Sequence, residues 1–94
     1  MQKQYYIYIL SNWNNSVLYI GVTNDIIRRL NEHKDDDKKS FATKYKTFKL
    51  VYNEVFNNAE DAINREKQLK RWSRTKKNSL IESINPNWED LNKV

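Results

Sequence analysis

The chain has 94 residues, room for one small domain, and its three Trp, six Tyr and three Phe supply the buried area that so short a chain needs. Without Cys it can build neither a disulfide framework nor a cysteine metal site, and no apolar run reaches the length of a membrane span or forms a signal-peptide core. The formal charge of +5 suits a protein drawn to phosphate polymers, and the expectation is a soluble, cytoplasmic domain spanning residues 1–94.

Strand-like alternation runs through 5–10 and again through 17–21, with the turn-rich segment 11–16 between them. The simplest hairpin pairs Leu10 with Val17, which sets Tyr8 opposite Tyr19 and Tyr6 opposite Gly21. Side chains alternate faces, so Ile7, Ile9, Leu18 and Ile20 share one side while two phenols and a glycine share the other. The aliphatic side is a core; the other side is a candidate site. Cross-strand aromatic pairs also stabilise hairpins by up to about 1 kcal/mol, so the tyrosines alone are explained by structure.

Thr23-Asn24-Asp25 reads as a helix start, with Asn24 capping and Asp25 facing the positive end of the dipole. The spacing predicts a stripe of Ile26, Ile27, Leu30 and His33, with Arg28 turned away and Arg29 at the edge, able to reach over the sheet or to snorkel. Residues 34–45 lack periodicity and read as a loop, and 48–56 as a third strand. Asn57-Asn58 ends that strand and caps a second helix from Ala59, whose apolar face is Ala62, Ile63 and Leu69 with Glu66 in its middle. A lone carboxylate there costs several kcal/mol unless it is paired, protonated or metal-bound, which leaves a salt bridge to Arg29 or a metal-ligand role.

Ser73 or Thr75 can cap a third helix with Leu80, Ile81 and Ile84 inside; Pro86 stops it, and Trp88 and Leu91 anchor a returning tail. The resulting order is ββαβαα, an α/β sandwich in which helices cover an antiparallel sheet. Basic residues gather at Arg65, Lys67, Lys70, Arg71, Arg74, Lys76 and Lys77 around Trp72, and again at Lys44, Lys46 and Lys49; acids gather at Asp35-Asp36-Asp37. A solvated helix face would explain the lysines. Nucleic-acid contact is expected through Lys44, Lys46, Arg65, Lys67, Lys70, Arg71, Trp72, Arg74 and Lys76, tracking the backbone without reading bases.

Tyr6-Ile7-Tyr8, Tyr19-Ile20-Gly21, the run from Asn24 to Leu30 with His33, and Arg65-Glu66-Lys67 follow one another at spacings that resemble the GIY-YIG nuclease superfamily. Within it the chain looks like small stand-alone bacterial proteins similar to the N-terminal nuclease domain of the bacterial repair excinuclease. The resemblance implies a three-stranded antiparallel sheet flanked by three helices and single-metal phosphodiester hydrolysis. It assigns catalytic roles to Tyr8, Tyr19, Arg29, His33 and Glu66, with Glu66 as metal ligand. Two departures stand out: Tyr6 occupies a position often held by glycine, and Val22 replaces a lysine that in several branches follows the glycine. The second leaves open what activates Tyr19, and Asn85 and Asn87 are both candidates for an asparagine that some members use.

The expectation is therefore an endonuclease using Mg²⁺ or Mn²⁺, acting on DNA sooner than RNA, with a role in repair or recombination. Glu66 would hold the hydrated ion, Arg29 would fork onto the phosphate, Tyr19 would take the proton of the attacking water, and Tyr8 would hold water or phosphate in line, with His33 as second proton carrier. The alternative is a nucleic-acid-binding module of the same fold without useful turnover.

Overall fold

The computed structural model describes residues 3–33, His33 by its backbone alone, and residues 49–92. The elements are β1 (Tyr5–Ser11), β2 (Leu18–Thr23), α1 (Ile26–His33), β3 (Lys49–Phe56), α2 (Ala59–Arg71) and α3 (Arg74–Ile84). The order ββαβαα is the one the sequence predicts, and the sheet is antiparallel with order β2-β1-β3. Phe48, expected to open the third strand, and the loop 34–45 lie outside the described residues.

The hairpin register differs from the expected one by two residues. Tyr8 faces Gly21, Leu10 faces Tyr19 and Ser11 faces Leu18. The connecting turn closes by Asn12 N–H donating to the Val17 carbonyl at 3.3 Å, and the shorter loop this leaves carries Asn15 at φ 61°. An even shift preserves the faces, so the division into aliphatic and phenolic sides survives.

Ile7, Ile9 and Ile20 pack with Val51, Tyr52, Ala62, Leu69 and Ile81 beneath α2 and α3. Tyr8 and Leu10 pack with Leu30 and Leu50 beneath α1. A bulge in β3 serves both layers: Ile9 faces Tyr52 while Leu10 faces Leu50, so Val51 is supernumerary. Leu50 thereby joins the α1 side, while Val51 and Tyr52 both join the other.

The helix starts follow local chemistry. Asp25, rather than the expected Asn24, caps α1, its carboxylate accepting from Arg28 N–H at 3.1 Å. Asn58 caps α2 through Asp61 N–H at 2.8 Å, and Ser73 caps α3 through Lys76 N–H at 3.2 Å. Three positions read as inward-facing are on the surface: Ile27, Ile63 and Ile84 are all exposed. Ala62 and Ile81 are buried and Ile26 partly so, and these short helices bury a narrower stripe than the wheel suggested.

The tail folds back as expected, though by backbone more than by side chains. Leu91 N–H donates to the Leu50 carbonyl at 2.7 Å and Asp90 accepts from Leu50 N–H at 3.1 Å, so the outer edge of β3 is blunted there. Asn85, 4% exposed, donates to the Val51 and Glu89 carbonyls at 3.1 and 2.8 Å and accepts from Glu89 N–H at 3.0 Å. Trp88 packs on the core; the Leu91 side chain is exposed.

Candidate active site

The site grows from the phenolic face of the hairpin. With Gly21 directly across from it, the Tyr8 ring lies over bare backbone: a Cβ at Gly21 would fall 2.9 Å from Tyr8 Cε1 and closer still to Cζ and the hydroxyl oxygen. Glycine is required by this close approach, not by its backbone angles. Tyr19 is the diagonal neighbour, its ring centroid 6.1 Å from that of Tyr8 with the planes inclined by 31°.

Arg29 completes the group from α1. Ile26 and Leu30 are drawn into the layer beneath the helix, which carries Arg29 to the stripe's edge. Arg29 Nε donates to the Tyr8 hydroxyl at 3.2 Å, Nη1 lies 3.9 Å from Glu32, and the side chain is 40% exposed. Arg28 points to solvent.

Burial pushes the Tyr8 phenol up to about 12, and the nearby Tyr19 adds to the rise while Arg29 opposes it. Tyr8, only 1% exposed, is thus a neutral phenol at physiological pH. Its hydrogen bond, with a further contribution from Tyr19, raises the Arg29 guanidinium above its usual value, so that cation is permanent. The arrangement offers a fixed positive charge with its outer edge turned to solvent beside a more accessible phenol.

Glu66 belongs to the opposite layer. It lies between Ala62 and Leu69 on α2 as the spacing predicted, its side chain is only 18% exposed, and it pairs with Lys70 at 3.6 Å, not with Arg29. Lys70 in turn lines a cleft of about 270 Å³ at the β2 edge with Leu18, Tyr19, Ile20 and Lys77. Tyr8, Tyr19 and Arg29 are thus in mutual contact, while Glu66 sits on α2 paired with Lys70. The His33 side chain, Lys44 and Lys46 lie outside the described residues.

The basic cluster divides into exposed and committed members. Lys67, Lys70 and Arg71 project from α2. Arg65, expected at the nucleic acid, is instead locked onto Glu54, Nε at 3.1 Å from Oε1 and Nη2 at 3.0 Å from Oε2, while Tyr52 donates to the same carboxylate. Trp72 packs on the core between Arg65, 5.1 Å from its ring centroid, and Lys76, at 4.3 Å. Arg74 donates to the Asn15 and Ser16 carbonyls, fastening the hairpin turn to α3. The Tyr52–Glu54–Arg65 cluster is not among the sequence expectations; its one local signal is that Tyr52 and Glu54, two apart on a strand, share a face.

Residues 4–79 match the GIY-YIG catalytic domain model. The chain belongs to the GIY-YIG family. This GIY-YIG chain is 33% identical over 85 residues to the UPF0213 protein of Bacillus pumilus, covering 89% of itself and 86% of that protein. To the UPF0213 protein of Haloquadratum walsbyi it is 33% identical over 82 residues, with 87% and 91% covered. The solution NMR structure of the UPF0213 protein of Bacillus halodurans is similar at a TM-score of 0.60 and 30% identity, covering 97% of this chain and 96% of that one. The family is a nuclease family, and its two name-giving triplets coincide with Tyr6-Ile7-Tyr8 and Tyr19-Ile20-Gly21, the two strands that carry the phenolic pair.

The residues present fit a divalent ion of one kind. Among the described residues there is no group of three or more His, Asp or Glu that could hold a metal, so a site at Glu66 would draw at most two such ligands from them. That donor set suits Mg²⁺ or Mn²⁺, which tolerate few protein ligands and complete the shell with water and phosphate oxygens. The Lys70 partner, itself 54% exposed, is displaceable.

Proposed function

We propose that the protein is a divalent-metal-dependent endonuclease that hydrolyses phosphodiester bonds in DNA. The observation that carries the reading is the bond from Arg29 Nε to the Tyr8 hydroxyl at 3.2 Å with Tyr19 alongside: a permanent, partly exposed cation sits next to a phenol less buried than Tyr8. Arg29 binds the scissile phosphate through its terminal nitrogens and neutralises the charge that grows in the transition state. Tyr8, buried and hydrogen-bonded to Arg29, is a positioning residue that fixes the guanidinium. Tyr19 orients the attacking water and, as its phenolate, accepts the proton. Glu66 would hold Mg²⁺ or Mn²⁺, which when bound supplies Lewis-acid stabilisation of the phosphate and of the leaving oxygen.

The test is cleavage of labelled single-stranded, duplex and branched DNA, and of RNA, by purified protein with Mg²⁺ or Mn²⁺. Tyr19→Phe and Glu66→Ala are each expected to lose cleavage by orders of magnitude while still binding. Wild-type rates in both variants would refute these roles. A second reading, a binding module without turnover, draws on the Glu66–Lys70 pair, which already neutralises the carboxylate. It requires that wild type and Glu66→Ala bind alike, that neither cuts, and that metal leaves the melting temperature unmoved.

A further inference from the structure

The two edges of the sheet differ. At β3 the tail already occupies the Leu50 N–H and carbonyl. At β2 no hydrogen bond among the described residues reaches the outer side of the strand. Its sequence from Leu18 to Thr23 carries no charge, no proline and no bulge, the usual guards of an open edge. The register shows which of its groups face outward. Asn12 N–H donates to the Val17 carbonyl, which makes 12 and 17 a hydrogen-bonded pair. Such pairs alternate along an antiparallel ladder. Tyr19, Gly21 and Thr23 therefore bond β1, while the N–H and C=O groups of Leu18, Ile20 and Val22 turn away from the sheet.

That edge opens into the cleft of about 270 Å³ whose lining joins Leu18, Tyr19 and Ile20 to Lys70 of α2 and Lys77 of α3. Among the described residues Lys77 has no acidic partner, and Lys70 is exposed and shared with Glu66. A row of backbone donors and acceptors that repeats roughly every 7 Å is complemented by another extended peptide and not by a sugar-phosphate chain. The two ammonium groups beside it select a strand that carries carboxylates. They also disfavour a second copy, because pairing β2 with itself would bring the lysines of two chains of charge +5 to one seam.

We propose that the outer edge of β2 is a docking site for an acidic, extended peptide segment of a partner protein. The segment adds to the sheet as a fourth strand through Leu18, Ile20 and Val22, and its carboxylates meet Lys70 and Lys77. Residues directly opposite on neighbouring strands share a face, so every second residue of the added strand stands on the phenolic side of the sheet, the side of Tyr19. The docking edge is defined by backbone geometry and stands whether or not the protein cleaves DNA.

The experiment combines fluorescence anisotropy with amide hydrogen exchange on the full chain. The probes are a labelled peptide of about nine residues alternating valine and glutamate, the same peptide N-methylated along its centre, and a version with lysine for glutamate. Exchange at Ile20 and Val22 is expected to slow by ~10-fold or more on adding the acidic peptide, while Tyr19 and Gly21 are slow without it. The N-methylated peptide should not bind, a control that leaves the protein's fold untouched. Lys77→Glu should weaken the acidic peptide by roughly 2- to 20-fold and tighten the lysine one, at an unchanged melting temperature. Val22→Pro removes one outward N–H and no bond to β1, and should abolish binding. Docking is refuted if exchange at Ile20 and Val22 does not slow with acidic peptide up to about 1 mM. It is equally refuted if the N-methylated peptide binds as well as its parent, or the lysine peptide as well as the acidic one. A dimer of the free chain that protects the same two amides would overturn it in favour of a second copy, and their protection by oligo-dT in favour of nucleic acid.

Discussion

Replacing Gly21 with alanine tests the geometry of the site at its tightest point. The added methyl meets two ring atoms of Tyr8 and its hydroxyl oxygen, the most distant of the three at 2.9 Å, and the ring is rigid and 1% exposed. It cannot swing aside without entering the layer of Leu10, Leu30 and Leu50. Overpacking of this kind costs about 1–3 kcal/mol, and displacing the hydroxyl from Arg29 adds a charge-assisted hydrogen bond of roughly 1.5–3 kcal/mol. Ring movement relieves part of the first term, so a total of about 2–4 kcal/mol is expected, or roughly 10–25 °C in Tm for a domain of this size. The assay is a double-mutant cycle by urea denaturation. In a Tyr8→Ala background the same glycine substitution should cost nothing or stabilise slightly, because alanine suits a strand better than glycine once the ring is gone. A Gly21→Ala protein as stable as wild type, or an equal cost in both backgrounds, would refute the account of why a glycine stands there.

Further consequences can be measured on the same protein. Arg29→Lys loses both the Nε donor to Tyr8 and the planar fork, so kcat should fall by about 10²–10³ and stability in urea by roughly 1–3 kcal/mol. Arg65→Met should lower stability by about 1–3 kcal/mol in urea, leaving a partly buried Glu54 unpaired, yet leave the salt dependence of DNA binding unmoved. Asn85→Ala removes three hydrogen bonds at a buried position and should cost about 2–4 kcal/mol and loosen the tail, measured as loss of amide-exchange protection at Leu50 and Leu91. Tyr8 and Tyr52 both titrate near 12 in the folded protein, above the unfolded value near 10. Their contribution to stability is therefore complete below pH 10 and lost as pH rises through 12. Melting scans should stay flat up to about pH 10 and then fall, less steeply in the Tyr8→Phe/Tyr52→Phe double variant.

The order of elements was legible because each boundary carries its own chemistry: Asn58 and Ser73 cap their helices, and alternating aliphatic residues write the hairpin. Its register was not, because pairing Leu10 with Val17 or with Tyr19 buries the same side chains. Faces repeat every two residues, so hydrophobic pattern cannot separate registers that differ by two. What decided it was the turn, where Asn12 bonds Val17 and Asn15 accepts a left-handed conformation. The β3 bulge was hidden for a related reason: a supernumerary residue changes which face later residues occupy, and Leu50-Val51-Tyr52 is apolar throughout.

Two of the site groups, the phenols, follow from strand alternation, and Arg29 from its angle on α1, since periodicity fixes direction over short spans. Charge partnership has no such rule. Arg65 and Glu54 lie on different elements, and only the packing of α2 across β3 brings them together, so a guanidinium counted as a contact for nucleic acid turns out to hold the fold. Arg74 is spent in the same way on the hairpin turn. The net charge of +5 therefore overstates how many cations face a ligand. The lysines decide the matter: a flexible ammonium on a long stem loses more entropy when fixed than a planar fork does per bond formed. Arg65 and Arg74 are thereby fixed within the domain, while Lys67 and Arg71 project from α2 and Lys70 holds Glu66.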